Sequence, residues 1–133
     1  MLDRRNFYIN GKWVKPFKKN DFPVINPSNE ETFATISLGS KEDTDAAIKA
    51  AKNSFNSWKE TSKAERIKLL EKLLENYKKR FDEMAEAMSL EMGSPIDYAI
   101  STHAASGQSH IEDFIIRLKE YKFEEHFDDK SNN

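Results

Sequence analysis

The chain has 133 residues, 21 Lys and Arg against 23 Asp and Glu, a net charge of −2 and no cysteine. That length suits one domain burying about two-thirds of its extended surface, and the near-neutral charge gives no footing for a nucleic-acid partner. Lack of cysteine excludes disulfides and thiolate catalysis by these residues; there is no apolar run of membrane-spanning length, and Met1 precedes Asp3, Arg4 and Arg5 rather than an apolar leader core, so the expected address is cytoplasmic, with no membrane partner.

Residues 1–6 are polar and are expected to be loose. Phe7 to Val14 reads FYINGKWV, where Asn10-Gly11 between apolar and aromatic residues predicts a tight β-hairpin. Lys15 to Asp21 contains Pro16 and reads as a basic loop with no phosphate-cradling glycines. Val24-Ile25, the turn signal Asn26-Pro27-Ser28-Asn29 and the alternating run Thr32–Leu38 predict a second hairpin.

Three helices follow. Ser40 and Asp43 cap the first, whose buried stripe is expected to be Ala47 or Ile48, Ala51, Phe55 and Trp58. The second is expected to run unbroken from Lys63 to Met92, about 45 Å. Ile67, Leu70, Leu74, Tyr77, Phe81, Met84, Met88 and Met92 recur on it at spacings of three and four. Ser62 with Glu65 makes its capping box, and Gly93 followed by Pro95 ends it. The third helix opens at Pro95, carries Ile96, Ala99, Ile100 and His103 or Ala104 on one face, is expected to kink or change register near Gly107, and resumes its stripe with Ile111, Phe114, Ile115, Leu118 and Tyr121. The end is a charged tail holding Phe123 and Phe127.

Two small hairpins cannot cover so much apolar helix surface, and Phe55, Trp58, Phe114, Ile115, Phe123 and Phe127 need a larger body or a partner to pack against. There is no dinucleotide fingerprint after a strand, no P-loop and no nucleophile elbow. A structural part of something larger fits better than a complete enzyme. The alternative is a non-catalytic helical module that binds another protein.

Taken together, FYINGKWV, INPSNEE, GSKEDTDAAIKAAKNSF with a tryptophan three residues on, TSKAERIKLLEKLLENYKKR and LEMGSPI resemble, in order and spacing, the N-terminal region of the NAD(P)-dependent aldehyde dehydrogenase superfamily. The resemblance runs from Phe7 to about Glu125. It implies an α+β fragment, two β-hairpins followed by three helices, forming the N-terminal part of an aldehyde dehydrogenase-like α/β (Rossmann-like) domain. Residues 1–133 would be a partial NAD(P)-binding domain without a complete catalytic domain. In the family a cysteine thiolate attacks the aldehyde, hydride passes to NAD or NADP, and a glutamate-activated water releases the acid from a thioester. None of those residues lies in the matched region, so no catalytic or cofactor-binding residue carries over, and the chain alone is expected to be inactive. Its expected partners are the missing C-terminal part, an aldehyde substrate and, when complete, further copies in a homo-dimer or homo-tetramer. One structural Na⁺ or K⁺ site carries over by resemblance: the backbone carbonyls of Val24 and Ile25 and the carboxylate of Glu91, where Glu replaces the more usual Asp. The third helix lines part of the aldehyde tunnel in relatives, which puts Thr102 to Gly107 near it.

Overall fold

The computed structural model describes residues 1–125; Phe127 and His126 lie outside them. Strands β1 (Leu2–Arg4), β5 (Glu31–Ser37) and β4 (Asp21–Asn26) form a three-stranded sheet in that order, and β2 (Phe7–Ile9) with β3 (Lys12–Val14) forms a separate hairpin. Helices α1 (Lys41–Lys59), α2 (Lys63–Lys79), α3 (Phe81–Met92) and α4 (Ile96–Tyr98) follow, then a π-helical turn (Ala99–Ala104) and α5 (Ala105–Glu120).

Both expected hairpins are present. Asn10 and Gly11 take φ of 53° and 74°, the left-handed pair that a two-residue turn needs to follow the strands' twist. Tyr8 and Trp13, opposite each other across that hairpin, meet edge to face at 5.3 Å. In the second hairpin the Asn26 side chain accepts from the Ser28 amide at 2.9 Å and hydroxyl at 2.8 Å, closing the turn before Glu31. The first residues are not loose: Leu2–Arg4 pairs in parallel with Ala34–Ile36. Backbone pairing to a ready sheet edge orders them although their side chains stay exposed.

The single long helix is also corrected. It divides at Arg80, whose φ of −115° and ψ of 22° leave the helical region and whose amide is shared between the carbonyls of Asn76 and Tyr77. Neither proline nor glycine stands there. Tertiary packing explains the bend: α2 runs along α5, while α3 packs against the π turn and β4. One straight rod cannot serve both. The stripe itself holds, with Ile67, Leu70, Leu74, Tyr77, Phe81 and Met88 half-buried, whereas Met84 and Met92 are exposed. The irregularity expected near Gly107 lies upstream of it, in the π turn.

The core is small. Ala85, Ala99 and Ala104 are fully buried, with Phe81 and Met88 against them, and Ile115 is buried on α5. Small side chains let α3 and the π turn approach closely.

Candidate functional site

Two places have the makings of a site: the junction of β4 with the end of α3, where the cation donors were expected, and the outer face of α1.

At the junction, Gly93 takes φ 69° and closes α3 in the left-handed conformation. A Cβ there would lie 3.1 Å from both Pro27 Cβ and the Ser28 nitrogen, so the helix end sits directly on the Asn26–Asn29 turn. Ser89 Oγ donates to the Ser94 carbonyl at 2.7 Å and fixes the exit of the chain. Val24 is half-buried on β4 and, with Glu91, lines a cleft of about 560 Å³ between the sheet and the helices α2 and α3. Leu73, Tyr77 and Leu90 supply part of its apolar wall, and Arg80 and Glu83 part of its polar rim. Ile25 is exposed and is not on that cleft wall. The β4–β5 register shifts between Val24, opposite Ala34, and Ile25, opposite Thr32, so the extra residue of this irregularity is Phe33 on β5. Among the described residues no three His, Cys, Asp or Glu side chains are gathered as a metal cluster. A cation here would draw on carbonyl oxygens and one carboxylate, a donor set of hard oxygens.

The face of α1 is bare. Its capping box forms in full: Asp43 accepts from the Ser40 amide at 2.9 Å and hydroxyl at 2.8 Å, and from the Phe17 amide at 2.9 Å. The Ser40 and Phe17 amides hold this buried carboxyl below its usual range against the opposing effect of burial, and the Ser40 hydroxyl adds to them. The contact ties the basic loop to the helix start, and nothing in the loop's sequence marks it. Beyond that turn the expected stripe is not covered: Ile48 and Phe55 are 60% exposed and Trp58 49%. Tyr8, Ile9, Ala47, Ala50 and Ala51 frame only a shallow hollow of about 270 Å³ between α1 and the first hairpin.

His103 stands on the π turn and His110 on α5. His103 meets the Tyr98 ring at 5.0 Å. Among the described residues no helix is long and apolar enough to cross a membrane.

The family model for the aldehyde dehydrogenase family matches residues 13–132. The chain is 40% identical over 126 residues to 3-succinoylsemialdehyde-pyridine dehydrogenase of a Pseudomonas species, covering 94% of this chain and 26% of that protein. Its fold superposes on the crystal structure of an aldehyde dehydrogenase from Bartonella henselae with a TM-score of 0.94 and 49% identity, over 98% of this chain and 28% of the other. Aldehyde dehydrogenase C of Pseudomonas syringae, solved in complex with NAD⁺ and octanal, gives a TM-score of 0.89 at 32% identity, over 92% of this chain and 25% of that one. This chain therefore belongs to the aldehyde dehydrogenase family. What it matches is the N-terminal part of the family's Rossmann-like fold, and it spans about a quarter of the length of these relatives. The family's cysteine nucleophile is not among its residues.

Proposed function

We propose that this chain is the structural opening of an NAD(P)-dependent enzyme that oxidises an aldehyde to a carboxylic acid. It is the first part of the nucleotide-binding domain, on which the nucleotide-holding and cysteine-bearing parts are built, and it contributes no reacting group. The single observation that carries this reading is the uncovered apolar face of α1 in a chain that spans a quarter of its relatives. Ile48 and Phe55 lie in water here, Trp58 is covered in part by Arg66, and all three gain a partner when the remaining three-quarters pack on them. NAD or NADP, the aldehyde and assembly into a dimer or tetramer belong to that complete cytoplasmic protein.

The test is the intact mass of the protein from its source, with sequence downstream of Asn133. A polypeptide about three and a half times the 15.4 kDa of this chain, carrying a cysteine and a glutamate downstream and oxidising aldehydes with NAD⁺ or NADP⁺, is the expected result. A stable 15.4 kDa product seated one-to-one on a different protein overturns it in favour of a helical binding module.

The oxygen donors at the β4–α3 junction fit a monovalent cation in kind. The Val24 and Ile25 carbonyls with the Glu91 carboxylate would hold Na⁺ or K⁺, which would neutralise Glu91 and tie α3 to the sheet. The placing of Val24 and Glu91 on one cleft supports this reading. Replacing Na⁺ or K⁺ by choline is expected to lower the thermal midpoint of the complete protein, and Glu91→Gln to abolish that ion dependence. An ion dependence unchanged in the variant removes Glu91 from the site.

A further inference from the structure

The π turn Ala99–Ala104 brings together side chains that an α-helix would keep apart. In an α-helix residues five apart point about 140° away from each other, since each residue turns the chain by about 100°. A π turn, with its i to i+5 bonding, brings them back to one side. Two such pairs occur here. Ala99 and Ala104, five apart, are both fully buried with Ala85. Tyr98 and His103, also five apart, meet with ring centroids at 5.0 Å and planes at 89°. Tyr98 is half exposed and His103 half-buried, so this second pair lies toward the surface.

One side chain from another helix grips the end of the turn. Tyr77 on α2 donates its hydroxyl to the Ala104 carbonyl at 2.9 Å. The hydroxyl is seated over Gly107: a Cβ there would collide with Tyr77 Oη and lie 3.0 Å from Cζ. The ring is held by Phe81, edge to face at 6.2 Å. Gly107 is thus the space that admits the tyrosine rather than a helix breaker.

We propose that Tyr77 is a positioning residue: its hydroxyl, seated over Gly107, holds the π register at 99–104 and through it the pairing of His103 with Tyr98. Released from this catch, the segment winds toward the α register and His103 swings away from Tyr98. The arrangement is a two-register element set by one hydrogen bond from α2.

The readout is the NMR position of the His103 ring protons in the 133-residue chain, with His110 as internal control and Tyr98→Ala defining the unpaired position. In the unsubstituted chain His103 is expected to be displaced from that position. Tyr77→Phe removes only the donor, and Gly107→Ala pushes the hydroxyl off the Ala104 carbonyl from the opposite side. Each is expected to move His103 to the Tyr98→Ala position, with His110 unmoved and the helical circular dichroism retained. His103 unmoved in both variants overturns the proposal. So does a spectrum of the unsubstituted chain in which Tyr98→Ala changes nothing at His103. A general loss of helix in Tyr77→Phe, a change of one oxygen, also overturns it, by showing that the hydroxyl supports the fold at large.

Discussion

Helix α1 and the α2–α3–α5 cluster are built from the same kind of sequence, amphipathic with apolar residues every three or four positions, and α1 and α2 open on the same capping box. They end in different situations. In the cluster the apolar stripes face each other, Tyr77 bonds to the Ala104 carbonyl, and Lys78–Glu112 at 2.7 Å and Lys119–Glu71 at 3.5 Å bridge α2 to α5. Helix α1 is tied at its first turn through Asp43 and at its last through Arg66, which donates to the Trp58 and Lys59 carbonyls and lies over the Trp58 ring, while between them its apolar face runs out with Ile48 and Phe55 60% exposed. Amphipathic pattern therefore encodes a demand for a partner and leaves open where that partner lies. For much of the cluster it lies within these residues, although Phe114 on α5 and Met92 on α3 stay 59% and 58% exposed; for α1 it is proposed to lie in the rest of the enzyme.

Paired substitutions test this contrast most strongly. Ile115→Ala empties a position that is 5% exposed and is expected to cost about 2–5 kcal/mol. Phe55→Ala on α1 is expected to change stability by no more than about 0.5 kcal/mol. Urea unfolding of the 133-residue chain reads both, and equal losses would break the comparison. In the proposed complete enzyme Phe55→Ala should itself cost about 3–5 kcal/mol, which would show that its partner lies downstream.

The next effect in size is at the end of α3. Gly93→Ala places a Cβ at φ 69° and 3.1 Å from Pro27 Cβ and the Ser28 nitrogen, at an expected cost of about 1–2 kcal/mol from the backbone conformation alone. Gly39→Ala is the control, since its Cβ would meet only Phe7 Cζ at 3.8 Å and Asp43 Cβ at 4.0 Å. A thermal midpoint lowered equally in both variants would remove the special role of the α3–turn contact.

Local chemistry was legible in the sequence and tertiary choice was not. Asn10-Gly11, both capping boxes and Gly93 announce themselves, because each depends on residues within a few positions. The break at Arg80 has no local signal: it exists because two halves of one stripe pack on different neighbours. Strand β1 is three residues with exposed side chains, ordered by the edge of β5, which an alternation pattern does not reveal. Tyr77 reads as one more stripe residue until Ala104 and Gly107 are brought beneath it. The Asn26-Pro27 turn and the end of α3 were legible as separate motifs; their contact, and the cleft shared by Val24 and Glu91, came only with the fold.

The tether at the start of α1 should be visible in the pH dependence of stability. Asp43 has a folded pKa below its ordinary 3.8, held there first by the Ser40 amide and then by the Phe17 amide. A carboxyl of this kind contributes stability in full above about pH 3.8, and that contribution is lost as pH falls through the lower folded value. Asp43→Asn is therefore expected to lower the unfolding midpoint at neutral pH, with the difference from the parent chain shrinking as the solution is acidified below pH 3.8. A difference constant with pH would show that the side chain acts by shape rather than charge.

The smallest effect is expected on the outer surface of α2. Glu75 is held at about 2 by hydrogen bonds and charge from Lys72 at 2.8 Å and Lys79 at 2.5 Å. All three side chains are largely in water, where ordering long side chains and screening by salt offset most of the attraction. A low carboxyl pKa and a useful contribution to stability are here separate matters. Glu75→Gln is expected to leave the thermal midpoint unchanged at about 0.15 M salt, while Lys78→Gln, which breaks the α2–α5 bridge to Glu112, lowers it measurably. If Glu75→Gln proved the costlier of the two, pairs along one helix would matter more than ties between helices, and the stability of the cluster would have to be sought within α2 itself.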